Sequence, residues 1–187
     1  VSEVDRTGKI RFLVSHDYGM GGLWWWIRAR SAEEIVLTLA ETEVITDPGQ
    51  LSAAASWSLA EVDIDEVDGD PALAELRAER DGQRDQPGFG ALVGRPLVYL
   101  SDQDDPEDDS VYLVELGPDG RRLRQVEVRP DGGHERSTER DWPFNPPFDL
   151  HDPRFAAMEI DVEVFERAWR GAAEAPLAQG GQTVDTG

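Results

Sequence analysis

The chain reads as an α+β fold, an antiparallel sheet with helices packed mainly on one side. Three observations carry that expectation. Residues 111–116 (VYLVEL) and 121–128 (RRLRQVEV) alternate in residue type, and Gly117-Pro118-Asp119-Gly120 joins them as a hairpin turn would. Two helix starts are spelled out, Ser31-Ala32-Glu33-Glu34 as a capping box and Asp70-Pro71 as N-cap and first turn. Leu, Ile, Val and Phe fill 44 of 187 positions, enough to build a core against a formal charge of −21.

The elements follow in order. Residues 10–16 (IRFLVSH) are rich in β-branched and aromatic types and predict a strand. The glycines of Asp17-Tyr18-Gly19-Met20-Gly21-Gly22 predict a turn, and 23–29 (LWWWIRA) a second strand that closes a hairpin. Behind the capping box a helix over 32–43 would align Ile35, Val36, Leu39 and Ala40 on one face. Asp47-Pro48-Gly49 ends that unit, and 51–59 is read as a short helix before an acidic connector. The helix from Pro71 holds Leu73 and Leu76 and should break at Asp81-Gly82. A loop over 82–95 leads to a strand at 95–100, an acidic loop at 102–109, the two meander strands, and a third at 134–138.

Residues 142–153 carry four of the twelve prolines, too many for a helix or a central strand. They predict an extended arm anchored by Trp142, Phe144, Phe148 and Phe155. A final helix over 161–173 places Val162, Phe165, Ala168 and Trp169 on one face. The whole is expected to be one domain over 1–174, with 1–96 as an N-terminal elaboration and 175–187 as a disordered tail.

Composition narrows the function. The absence of cysteine excludes disulfides, thiolate metal sites and a cysteine nucleophile. The longest apolar run, Leu23-Trp24-Trp25-Trp26-Ile27, is far short of a membrane span. Val1-Ser2-Glu3-Val4-Asp5 lacks the basic and apolar regions of a signal peptide, so a cytoplasmic protein is expected. The acidity argues against nucleic acid and anionic membrane as partners, since like charges repel. Seventeen of eighteen basic residues are Arg, with Lys9 the exception, which suggests a GC-rich bacterial genome. The charge is uneven: residues 51–110 hold −12 of it, four bases against sixteen acids.

Arg124-Gln125-Val126-Glu127-Val128-Arg129-Pro130-Asp131-Gly132 has the form R-x-V-E-x-x-x-D-G. Glu159-Ile160 and Phe165-Glu166-Arg167-Ala168-Trp169 follow. Together, over about residues 97–173, they resemble a small bacterial domain family of unknown function in which a strand meander precedes an F-E-x-x-W helix. That family is similar to the α+β immunity-type proteins of bacterial toxin systems. The resemblance implies a fold and brings no catalytic residues. The long N-terminal half departs from its pattern.

Each histidine precedes an acid, as His16-Asp17, His134-Glu135 and His151-Asp152. Such pairs suit a metal site or a general base, but no His-x-His or helical His spacing brings ligands together, so structural histidines are the plainer reading and no metal or cofactor is expected. Asp63-Ile64-Asp65-Glu66-Val67-Asp68-Gly69-Asp70 evokes a calcium loop, yet with Gly69 as its sixth position the first ligand falls on Ile64, and Pro71 suits a helix start. The glycine clusters lack the strand-loop-helix setting of a phosphate loop.

Two candidate surfaces remain. Asp102, Asp104, Asp105, Glu107, Asp108 and Asp109 form an acidic loop that would steer a cationic protein partner. His16, Asp17, Tyr18, Trp24 and Trp26 form a possible platform for a small-molecule ligand. On a strand Trp24 and Trp26 share one face and Leu23, Trp25 and Ile27 the other, so the strand is either central and covered on both sides or presents an aromatic face. The expected function is an acidic binding protein, an immunity-type inhibitor of a cationic toxin such as a nuclease. The alternative is a small-molecule binder or enzyme at the tryptophan strand and the His16-Asp17 loop.

Overall fold

The computed structural model describes residues 8–18, 21–103 and 109–174, and its fold is α+β. The chain forms two compact units, Val1–Val93 with Pro147–Ala156, and Gly94–Pro146 with Ala157–Gly187.

The first unit is built on a four-stranded sheet. Strands β1 (Ile10–Asp17) and β2 (Gly22–Ala29) pair antiparallel, as the hairpin pattern predicts. Helix α1 (Ala32–Thr38) starts at Ser31, whose side chain accepts the Glu34 N–H at 3.1 Å. Glu34 in turn accepts the Arg30 N–H at 2.6 Å, one residue earlier than the usual capping box. The helix ends at Thr38, short of the expected 43, because Leu39 turns extended and Glu41 takes a left-handed φ of 50°. That reversal frees Thr42–Ile45 to become β3, which pairs with β1. Asp47-Pro48 begins a helix, α2 (Pro48–Ala54), instead of ending a unit; Asp47 accepts the Gln50 N–H. Part of the expected acidic connector is strand β4 (Glu61–Asp63), parallel to β2, followed by a 3₁₀ turn at Ile64–Gly69. Helix α3 (Pro71–Arg84) starts at Asp70 as its sequence implies, but runs through Gly82. The strand order is β3-β1-β2-β4.

Both faces of this sheet are covered, which settles the reading of the tryptophan run. On one face Trp25, Ile27 and Ala29 join Val14, Ile35, Leu39, Ile64, Val67, Leu73 and Leu76. On the other, Leu13, Trp26 and Ile45 meet Ala54, with Trp24, Leu51 and Leu59 at the margin. Strand β2 is therefore central, and its consecutive aromatics feed opposite cores.

The second unit carries a five-stranded sheet, β5 (Val98–Asp102), β6 (Val111–Leu116), β7 (Arg122–Val128), β8 (His134–Thr138) and β9 (Ala173–Glu174), in that order. The pairings are antiparallel except for β8 with β9. The turn glycines earn their place by conformation: Gly120 and Gly132 take φ of 80° and 82°. Helix α5 (Val162–Gly171) lays Phe165, Ala168 and Trp169 on Leu113 and Val126. The short helix α4 (Pro153–Ala157) falls almost wholly in the returning segment of the first unit.

The two sequence motifs of this unit meet in space. Arg124 of β7 lies opposite Glu115 of β6 and donates to it from Nε at 2.9 Å and from Nη2 at 2.5 Å. Its Nη2 also donates to Glu166 of α5 at 2.6 Å. The guanidinium stands 4.9 Å from the Phe165 ring centre and 5.0 Å from that of Trp169. The first arginine of R-x-V-E thus clasps the F-E-x-x-W helix to the sheet, and the carboxylates hold the Arg124 charge more firmly than usual.

The proline-rich arm is held differently from expectation. Phe148 meets Phe155 at 5.1 Å and Trp142 lies under Arg122 at 4.8 Å, but Phe144 is 64% exposed and anchors nothing. Asn145 does that work in the second unit. Its Nδ2 donates to the Arg122 carbonyl at 2.9 Å, and its own carbonyl accepts from Arg121.

Candidate functional site

The acidic loop joins β5 to β6. Asp102 is half-buried at the end of β5, opposite Tyr112, and Asp109 is exposed. Asp104, Asp105, Glu107 and Asp108 lie outside the described residues, as does the tail over 175–187.

The platform residues divide between the faces of the first sheet. Directly paired residues of an antiparallel ladder share a face. Ser15 pairs with Trp24 and Leu13 with Trp26, whereas His16 pairs with Leu23. His16 therefore lies on the Trp25 face, where its Nδ1 is 3.0 Å from the Glu41 carbonyl, and its ring stands 6.5 Å from Tyr18. Tyr18 is exposed and folds over Gly21. Asp17, opposite Gly22, shares the face of Trp24 and Trp26. The structure keeps His16 with Tyr18 and Asp17 with the two tryptophans, and does not join the groups.

The Trp24 face carries two aromatic sites. Trp26 is nearly buried, and the Arg11 guanidinium sits 4.2 Å above its ring with Glu61 3.4 Å from the same arginine. Trp24 is half-buried and meets Trp57 edge to face at 5.6 Å and 83°. Trp57 is 44% exposed, and as a lone tryptophan after a short helix it carries no spacing signal in the sequence.

A polar centre also went unread. Glu41 precedes β3, Glu79 and Arg80 lie on α3, and Asp149, His151, Asp152 and Arg154 lie on the returning segment of the same unit. Carboxylate oxygens of Glu41, Glu79 and Asp152 fall within 4.8 Å of one another. Arg154 spans two of them, donating from Nε to Asp152 at 2.7 Å and from Nη2 to Glu41 at 3.0 Å. Burial and then the Glu41 charge push the Glu79 carboxyl above its ordinary value.

Beneath them the buried Arg80 donates to Gln83 at 2.7 Å, to the Leu39 carbonyl at 3.2 Å and to Asp149 at 2.5 Å. Burial alone would raise the Asp149 carboxyl; the His151 side chain, the Arg80 charge and the backbone N–H groups of Glu41 and His151 together hold it below the usual range. The guanidinium groups of Arg80 and Arg154 supply the positive charge these carboxylates need, so the arrangement ties the returning segment to α3 and the start of β3. Its only advance sign was the His151-Asp152 pair.

The calcium-like stretch is likewise spent on the fold. Lys9 is buried and donates to Asp63 and, at 2.6 Å, to Asp65, whose carboxylates hold the ammonium above its ordinary value. Asp68 pairs with Arg77 at 3.2 Å. Asp70 accepts the Ala72 and Leu73 N–H groups and the Trp25 indole N–H at 3.1 Å. A shallow cleft of about 300 Å³ in the second unit is lined by Leu123, Thr138, Glu139 and Arg140 and contains none of the candidate residues.

A scan against protein-family models gave no match to this chain, and searches of curated proteins and of solved structures gave none either. Among the described residues no helix is long and apolar enough to cross a membrane.

Proposed function

We propose that this chain is an acidic binding protein that engages a cationic protein partner, and that it acts as an immunity-type inhibitor of a basic bacterial toxin. One observation carries the reading: the surplus of acid belongs to both units. The first unit has twenty acidic residues against nine basic, the second nineteen against nine, for net charges of −11 and −10. Structural demand does not account for such a surplus. Most of the described arginines are already matched to carboxylates, as in Arg30 with Glu34 and Arg136 with Glu174, and acids remain in excess. A field of that sign accelerates encounter with a basic surface and disfavours nucleic acid. A nuclease toxin presents such a surface, because its active site must hold phosphate.

The resemblance of the R-x-V-E and F-E-x-x-W residues to immunity-type domains supports the same reading, as does the lack of cysteine for a protein working in a reducing bacterial cytoplasm. A small-molecule site combining His16 with Trp24 and Trp26 has less support, since these residues lie on opposite faces of one sheet.

The test is co-expression with the product of the adjacent gene. The expected result is a stable complex and relief of that product's toxicity. A neighbour that neither binds nor harms the cell overturns the reading.

A further inference from the structure

The chain places arginine at seventeen of its eighteen basic positions and lysine at one, Lys9. It therefore carries a single ε-amine, and the fold puts that amine out of reach. Lys9 stands just before β1 with its side chain 3% exposed, and it donates to Asp63 and, at 2.6 Å, to Asp65. Lysine suits this place because a compact ammonium with three donors serves two carboxylates at once. Those carboxylates also hold it above its ordinary value, which leaves little of the free base that attacks an acyl carbon.

The contact is a latch between separate parts of the first unit. Strands β1 and β4 flank β2 and do not pair with each other, so Lys9 joins what the ladder leaves apart. Asp63 ends β4 and caps the 3₁₀ turn at Ile64–Gly69 by accepting the Asp65 N–H at 3.0 Å. That turn delivers Ile64 and Val67 to the core. Asp65 is 59% exposed and also meets Arg30 at 3.4 Å, whereas Asp63 is 28% exposed and depends more on the ammonium. An acylated Lys9 is a neutral amide with one N–H in place of three. It cannot return between the two aspartates, because their charges would then face each other without the cation that separates them.

We propose that Lys9 is a fold-gated acceptor of an acyl group from an acyl phosphate, closed while it bridges Asp63 and Asp65 and held open once acylated. An acyl phosphate is small enough to reach an amine that has only just come clear of the turn. The free amine attacks the carbonyl carbon, the nitrogen–carbon bond forms, the acyl–oxygen bond breaks, and phosphate leaves as the amine proton passes to water. This inference is independent of the reading of a cationic partner.

The experiment incubates the full chain with acetyl phosphate, folded and in concentrated urea, and follows acetylation of Lys9 by peptide mass mapping. Folded wild type should react about a hundredfold more slowly than the unfolded chain, since reaction waits on local opening. Asp63→Asn keeps the cap acceptor and removes the charge, and should raise the folded rate about tenfold; Asp65→Asn, at the more exposed partner, about threefold. Circular dichroism checks that the variants fold, and Asp65→Asn decides the matter if Asp63→Asn does not. After refolding, the acetylated chain should exchange its amides over 61–69 about tenfold faster than the unmodified one, and Lys9→Gln should do the same. A folded chain acetylated as fast as the unfolded one overturns the gate, as do aspartate variants no faster than wild type. A Lys9 left unmodified even in urea overturns the acceptor, and an acetylated chain as protected over 61–69 as before overturns the held-open state.

Discussion

Replacing Arg124 with Met removes the charge from the clasp of the second unit while keeping an apolar stem against Phe165 and Trp169. The arginine makes two hydrogen bonds to Glu115 and one to Glu166. The Glu115 side chain is 7% exposed and would keep the Tyr99 hydroxyl but lose its countercharge, whereas Glu166, at 36%, can turn to water. Breaking a fully buried pair costs about 3–5 kcal/mol. Arg124 is itself 25% exposed, so water relieves part of that penalty, leaving about 2–3 kcal/mol. The lost cation–π contacts add about 0.5–1 kcal/mol, for a total of about 3 kcal/mol. Most of this arises from the carboxylate left without its countercharge, so adding Glu115→Gln should recover about half. The assay is hydrogen exchange of the β6 and β7 amides under native conditions, with the β1 and β2 amides as an internal reference. Faster exchange confined to the second unit, partly reversed in the double variant, is expected. A loss below about 0.5 kcal/mol, or a double variant no better than the single one, refutes the clasp.

Two other perturbations test the first unit. Asp70→Ala removes the cap of α3 and the acceptor of the buried Trp25 indole N–H, and should cost about 2 kcal/mol in urea denaturation, with faster exchange in α3. Glu79→Gln should stabilise. Its carboxyl is raised in the folded chain, so the ionised form costs stability at neutral pH and nothing once pH falls below the unfolded carboxylate value of about 4.3. After allowance for solvent the gain at neutral pH is about 0.5 kcal/mol, fading in acid; a variant whose stability difference does not change with pH would contradict a carboxyl raised by burial and by Glu41.

What could be read in advance was local. The caps at Ser31 and Asp70, the β1–β2 hairpin and the meander of β6, β7 and β8 are each specified by residues within a few positions of one another. Strands β3 and β4 were missed because four and three residues carry too little pattern, and both exist by pairing with distant strands. The apolar run from Ile35 kept helical phase past the point where Leu39 turned extended, which hid the start of β3. The polar centre was invisible for a similar reason: Arg154 and Glu41 are 113 residues apart, and ionic partners of any sign are abundant in so charged a chain. For the tryptophan run, residue alternation supplied the faces and only the neighbours could supply the coverage. Trp57 meets Trp24 edge to face, and no periodicity links the two.

The claim that the chain binds a basic protein is tested most directly by measuring its affinity for the product of the adjacent gene across a range of salt. A complex is expected whose dissociation constant rises steeply between low and high ionic strength, mainly through slower association, because the −21 charge draws the partner in. No complex at low salt, or an affinity indifferent to salt, would contradict it.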